Sequence, residues 1–480
     1  MADILSLDAT GQLAALESGR ISAVELLEAS AARFQALHSR LNAVVAHDFE
    51  RAGARARAID DARARGESQG PLAGLPMTIK DTFEVEHLCA SSGMKALAGR
   101  VVGDAAAVAR ARHAGAVIWG KTNVPVMAAD WQSYNDLYGT TNNPWDLERT
   151  PGGSSGGAAA AVATGITALE IGSDIGGSLR VPAAFSGVFS HKPTWGLVPQ
   201  RGHVPPAPGA YAERDLNVVG PIARSARDLR LLLSVLANGP VAAKAPAAEL
   251  KGLKAGLWVE DDDFALDAEV RAVIEAFAAA LTARGAEIKP AHPAKGHELI
   301  PAYSVLLGSI VAQDMAPKTR RTMRRMRALA HLAAGVTGRA PQWSLPLRGY
   351  TASHADWLEA DEVRARIAYS LKSVFERFDV VIAPVTPVVA FAHNHKPFTG
   401  RKLLCSDSRQ IPYASMLNWI ALATACGLPV TTIPAGPAVS GLPVGVQIIG
   451  PHGGDARTLA VAQAVEDEIS GFVPPPLGAV

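Results

Sequence analysis

The chain has 480 residues, with 46 Lys and Arg against 45 Asp and Glu, and this balance gives no reason to expect a nucleic acid or other polyanion as partner. Aromatic residues at 6% and 44 glycines fit a compact enzyme and speak against a coiled coil or a disordered chain. Cys89, Cys405 and Cys426 fall in no CxxC or Cys/His pattern, so no zinc site is expected, and this sparse cysteine usage fits a reducing compartment. The start of the chain lacks the basic and apolar regions of a signal peptide. The longest apolar runs, near 158–171 and 299–312, fall short of the ~20 residues a membrane span needs. The expectation is a soluble cytoplasmic protein.

Along the chain, Ser22-Ala-Val-Glu25 is a capping box, and Val24, Leu27, Ala31 and Phe34 recur behind it at helical spacing. A second helix is predicted over 49–65 and a third over 105–114, the latter feeding a buried strand at Ala116-Val-Ile-Trp-Gly120. That αβ alternation belongs to a wound sheet. Leu253 to Val259, Val380 to Ala383 and Pro429 to Ile433 supply further strands, and Ala268 to Arg284 another helix. Pro205 to Gly209 reads as a surface loop and Pro240 to Pro246 as a linker. Lys318, Arg320, Arg321, Arg324, Arg325 and Arg327 lie on a helix whose basic side reads as a solvated face.

Two segments carry an unusual glycine density: Pro151-Gly-Gly-Ser-Ser-Gly-Gly157 and Gly172-Ser-Asp-Ile-Gly-Gly-Ser-Leu-Arg180. Glycine costs backbone entropy and is tolerated where φ must be positive or where something approaches the main chain closely. Consecutive N–H groups in such loops can converge on an anion or a developing oxyanion. A phosphate loop is disfavoured, because neither cluster matches GxxxxGK[ST]. Gly152-Gly-Ser-Ser-Gly156 fits GxSxG, but a loop and not a strand precedes it. Ser92-Gly-Met-Lys95 fits SxxK without that motif's partners downstream. Upstream, Gly74-Leu-Pro-Met-Thr-Ile-Lys-Asp81 places Lys80 at the end of a strand-like apolar run.

Taken in order, GLPMTIKD, GTTNNPWD, TPGGSSGG and GSDIGGSLRVPAAFSG resemble the blocks of the amidase signature family, and Ser178 follows Ser154 by the family's spacing. DVVIAPVTP, GLPVTTIPAG and GLPVGVQIIGP extend the resemblance towards the C-terminus. It implies one large α/β amidase domain over 1–480, a mixed central β-sheet covered on both faces by α-helices. Within it, 65–235 would be the core with the site, 240–375 a variable pocket and helical region, and 376–470 the C-terminal part of the sheet. The resemblance makes Lys80 the general base, Ser154 a bridging serine in a cis peptide and Ser178 the acyl-forming nucleophile. It gives the oxyanion hole to the N–H groups of Ile175, Gly176, Gly177 and Ser178, and the orienting hydrogen bonds to Ser155, Asp174 and Arg180.

The chemistry agrees with these roles: a serine hydroxyl needs a base, and a lysine can serve once burial moves its pKa from ~10.4 towards ~7 to 8. None of the 13 histidines is needed for this relay, and His191 reads as structural. Met127, Trp131, Trp195 and Trp419, with Tyr303 and Trp343, supply an apolar pocket that favours neutral substrates with aryl or alkyl groups. The expected reaction is hydrolysis of small carboxylic amides, with carbamates as one alternative and an ammonia-releasing subunit of a glutamine-dependent amidotransferase as another. Thr424 stands where the family commonly has Asn. No cofactor, metal, nucleic acid or membrane is implied, and a homodimer is the assembly suggested by analogy with relatives.

Overall fold

The computed structural model describes residues 4–239, 248–337 and 345–479; the Pro240 to Pro246 linker and Trp343 lie outside them. Its centre is an 11-stranded mixed sheet. In chain order the strands are β1 Val44–His47, β2 Pro76–Lys80, β3 Val117–Thr122, β4 Tyr134–Asn135, β5 Gly139–Thr140, β6 Leu169–Asp174, β7 Phe189–Lys192 and β8 Val218–Ala223. They continue as β9 Lys254–Leu257, β10 Glu287–Pro290, β11 Val380–Pro384, β12 Lys402–Leu404, β13 Gln410–Pro412, β14 Val430–Pro437 and β15 Pro443–Ile449. The large sheet runs β1-β3-β2-β6-β8-β7-β14-β15-β11-β9-β10, while β4 with β5 and β12 with β13 form separate ribbons. β2 lies between two parallel partners, β3 and β6, and all five of its residues are buried. Such a strand has no solvent face, which explains its unbroken apolar run up to Lys80. Helices flank the sheet within a single domain.

Most predicted elements are present. Ser22 caps the helix Ala23–Leu41 with both hydrogen bonds of the box, and helices span Phe49–Ala64, Ala106–His113 and Ala268–Ala283. The strand expected to end at Ile433 runs on to Pro437, because β15 pairs with it along its whole length. The basic stretch forms part of the helix Pro317–Thr337. There Lys318, Arg321, Arg324 and Arg325 are exposed, whereas Arg327 reaches Asp356 and Thr351. Two long helices, Gly296–Gln313 and His354–Arg377, fall in the helical region expected over 240–375, which carries no individual bounds for them. Pro301 lies inside the first of them, which continues through it. That helix is fixed against the segment Leu345–Tyr350 where Gly308 meets Gly349 so closely that a Cβ on Gly308 would stand 2.4 Å from the Gly349 Cα.

Candidate active site

Lys80 ends β2 fully buried, level with Thr122 of β3. Its Nζ lies 2.8 Å from Ser154 Oγ, 2.9 Å from Ser173 Oγ and 3.4 Å from the Ser173 carbonyl. Desolvation lowers its pKa to about 7, and the nearby Asp174 and Glu170 carboxylates only partly oppose this. An amine in that state can take a proton from a hydroxyl near neutral pH.

Ser154 sits in the loop that opens the helix Gly156–Ala163, and the Gly153–Ser154 bond is cis. The surrounding glycines are explained by close approach. A Cβ would fall 2.5 Å from the Asp130 carbonyl at Gly153, 2.4 Å from Ser133 Oγ at Gly156 and 2.4 Å from the Asn123 nitrogen at Gly157. Gly152 and Gly177 instead need glycine for their backbone, with φ of 88° and 90°.

Ser178 follows β6 and leads into the helix Arg180–Ser186. Its carbonyl accepts the Ser155 N–H at 3.3 Å, whereas its hydroxyl makes no hydrogen bond to Ser154. The Ser155 hydroxyl points to the Ser173 carbonyl at 3.4 Å. Asp174 accepts the N–H groups of Gly177 (2.9 Å) and Leu179 (3.1 Å) and pairs bidentately with Arg180, both contacts at 3.0 Å. Burial disfavours its charge, but Arg180 and these donors hold its pKa down to about 2. Arg180 further donates to the Ile420 carbonyl, Gln447 and Thr424. Thr424 therefore meets the arginine directly, through a hydroxyl 2.6 Å away.

The Gly177 N–H is thus committed to Asp174, a departure from the four-donor hole expected from the sequence. Ile175, Gly176 and Ser178 remain with N–H groups that meet no acceptor among the described residues. Their directions follow from peptide planarity, since each N–H points opposite the carbonyl of its own peptide. The Ile175 carbonyl accepts from Tyr303 Oη at 2.8 Å, which turns the Gly176 N–H the other way. The Gly177 carbonyl accepts from the Val181 N–H at 2.7 Å, which does the same for Ser178.

Of the expected pocket residues, Trp131 is at the loop, but as a donor: its indole N–H bonds the Gly176 carbonyl at 2.7 Å. Its ring packs on Phe398 and Tyr413, and its neighbour Asp130 accepts from Arg401 and Tyr413 at 2.5 and 2.6 Å. Met127 is half-buried in the turn Val126–Ala128, with φ of 55°. Trp195 is 39% exposed on the loop after β7, and its hydrogen bonds run to Arg214 and Gly427. Trp419 is a correction: its ring is fully buried against Trp258 and Phe264 with its N–H on the Ala265 carbonyl, so it belongs to the core. The sequence offers Tyr303 only as wall material, and its hydroxyl contact has no local sequence signal. His191 on β7 bridges Thr431 of β14 and Asp455 of the helix Asp455–Glu468 and makes no hydrogen bond to Lys80. His203 contacts Ser173 Oγ at 2.8 Å. Among the described residues no group of three His, Cys, Asp or Glu side chains could hold a metal, and no helix is long and apolar enough to cross a membrane.

A family model described as Amidase matches residues 25–459. The chain is 34% identical to a Glutamyl-tRNA(Gln) amidotransferase subunit from Synechococcus sp. (strain CC9605), over 97% of this chain and 97% of that protein. Among solved structures it is similar to one described as a crystal structure of amidase, with 29% identity and a TM-score of 0.79 over 96% of this chain and 99% of that one. It is also similar to a bacterial aryl acylamidase of the amidase signature enzymes, with 25% identity and a TM-score of 0.80 over 97% of this chain and 96% of that one.

Proposed function

Because this chain belongs to the amidase family, we propose that it is a serine amidohydrolase cleaving the C–N bond of small neutral carboxylic amides with aryl or alkyl groups. The observation that carries this reading is the contact of the buried Lys80 with Ser154 beside the loop that presents Ser178. Ser178 Oγ attacks the amide carbon and passes its proton to Ser154, which passes its own to Lys80 Nζ. The first transfer needs the Ser178 side chain to rotate onto Ser154, a link that forms with substrate bound. The oxyanion is met by the N–H groups of Ile175, Gly176 and Ser178, at roughly 3–4 kcal/mol for each such donor in comparable sites. Collapse breaks the C–N bond, and Lys80 returns the proton through Ser154 to the leaving amine. Water then repeats the sequence on the acyl-enzyme, releasing the acid and Ser178. Nucleophile, relay, base and oxyanion donors are all groups of the chain, with water as the co-substrate.

A second reading has an observation of its own, the 34% identity to a component of an amidotransferase. In it the same three residues release ammonia for use by a partner protein. The aryl acylamidase likeness supports the first reading, and the two separate on a substrate panel. The purified chain is offered p-nitroacetanilide, aliphatic amides, carbamates and glutamine, and Ser178 labelling by a fluorophosphonate is followed by mass spectrometry. Turnover of an acyl amide, abolished in Ser178→Ala, is expected. Glutamine turnover alone would favour the second reading, and turnover persisting in Ser178→Ala would overturn both.

A further inference from the structure

His203 lies outside both glycine clusters, yet its ring reaches Lys80 through a single intervening side chain, Ser173. It is 6% exposed. Its segment is fastened to the chain that leaves β2: His203 bridges Phe83, Val204 N–H donates to the Thr82 carbonyl at 2.7 Å, and Ser92 Oγ donates to the Val204 carbonyl at 2.9 Å. The imidazole meets the Phe83 ring edge-on at 4.9 Å. Its position is therefore tied to the strand end that carries the lysine.

The hydrogen bonds around it have only one consistent direction. The Pro205 carbonyl lies 2.6 Å from Nδ1 and can only accept, so Nδ1 carries hydrogen. In the neutral ring Nε2 then holds a lone pair, and Ser173 Oγ, 2.8 Å away, donates to it. Burial and the charge of Lys80 lower the His203 pKa to about 3, which keeps the ring neutral. With its hydrogen committed, the Ser173 hydroxyl can only accept from Lys80 Nζ at 2.9 Å, and the Ser173 carbonyl takes a second N–H at 3.4 Å. A neutral amine has two hydrogens and one lone pair. Both hydrogens are drawn to Ser173, and the lone pair faces the Ser154 hydroxyl at 2.8 Å.

We propose that His203 is a positioning residue for the reaction: it fixes the Ser173 hydroxyl as an acceptor towards Lys80 and so aims the lysine lone pair at Ser154. The inference rests on the reading of Lys80 as the base. Without His203, Ser173 can turn its hydrogen onto that lone pair and withdraw it from Ser154. The titratable groups facing this network are Lys80 on β2 and, on β6, Asp174 and Glu170.

The test compares His203→Phe, which keeps a ring against Phe83 without an acceptor, with His203→Gln, whose amide can both donate to Pro205 and accept from Ser173. Ser178 labelling by a fluorophosphonate is timed from pH 5.5 to 9, alongside kcat and KM on any amide the wild type turns over. His203→Phe is expected to slow labelling and kcat about tenfold or more with KM unchanged, a loss on the scale of a partly disabled general base. His203→Gln should restore most of the rate. In a Ser173→Ala background His203→Phe should add no further loss, because the hydroxyl it frees is gone. A wild-type rate and pH profile in His203→Phe, or losses that multiply in the double variant, would overturn the proposal. Should His203→Phe fail to fold, nitrogen-15 NMR of selectively labelled wild-type histidine decides: hydrogen on Nδ1 with a bare Nε2 supports it, and hydrogen on Nε2 sinks it. If the wild type does not label at Ser178, or labels equally in Lys80→Ala, the amidohydrolase reading itself fails. Labelling that needs Lys80 yet ignores His203 removes this inference alone.

Discussion

In its proposed role as base, Lys80 acts only in the fraction of molecules where it is neutral, and burial is what makes that fraction large. With a pKa of about 7, the amine is mostly protonated at pH 6 and mostly free at pH 8. Activity should therefore rise with pH. kcat/KM is expected to be about tenfold lower at pH 6 than on a plateau above pH 8, which a pH–rate profile on any turned-over amide measures. A flat profile between pH 6 and 8 would mean that this amine does not limit the reaction. The residues behind this prediction were legible because each lies in a block whose order and spacing resemble the family. The shift the chemistry requires could be stated from the sequence, but whether burial supplies it depends on how completely β3 and β6 enclose β2, which no local pattern shows. His203 escaped for a related reason: its partner Ser173 lies 30 residues earlier and only the folded loop joins them.

At the scale of elements, the loop proposed to hold the oxyanion is shaped by an ion pair at its own base and by donors on two other segments. Asp174 and Arg180 hold its base, Trp131 holds the Gly176 carbonyl and Tyr303, on the helix Gly296–Gln313, holds the Ile175 carbonyl. Tyr303→Phe removes one hydroxyl and leaves the ring in its fully buried place. The loss of one neutral hydrogen bond should cost only about 1 kcal/mol of stability. It also frees the peptide that carries the Gly176 N–H, so kcat should fall roughly 10- to 100-fold, a fraction of the loss seen when such a donor is removed outright. KM should change little. Thermal melts beside steady-state kinetics check both halves, and a variant with unchanged kcat would show that the helix merely covers the loop. The glycines of this region announced close packing in the sequence, but not which segments approach. The donors come from a helix with an internal proline and from a turn before β4, and neither carries a pattern that distinguishes a donor from an ordinary core aromatic.

The whole molecule encloses several titratable groups against their preference, and their sum sets how stability follows pH. Burial lowers both Lys80 and Lys192 to about 7, with the adjacent Arg180 adding to the shift at Lys192. In the unfolded chain both return to about 10.4. Between pH 7 and 10 the unfolded state therefore binds more protons than the folded one, so stability rises with pH across that window. Glu170 acts in the opposite sense lower down. Burial raises its pKa to about 8, so the stability contributed by its protonated form declines as pH climbs from about 4.5 to 8 and changes no further above that. Asp174, held down to about 2, contributes fully throughout this range and is lost only in strong acid. Between pH 7 and 9 the two lysines thus outweigh Glu170. Tm is expected to increase from pH 7 to pH 9 by several degrees, whereas many proteins are most stable between about pH 5 and 8. Lys80→Met should remove about half of that increase and raise Tm at pH 7, because no buried amine then resists protonation, while abolishing turnover. Differential scanning calorimetry at four pH values on the wild type and this variant measures both effects. A wild-type Tm that falls steadily above pH 7, or a Lys80→Met slope equal to the wild type's, would show that Lys80 is charged in the folded protein, and the base would then have to be sought elsewhere.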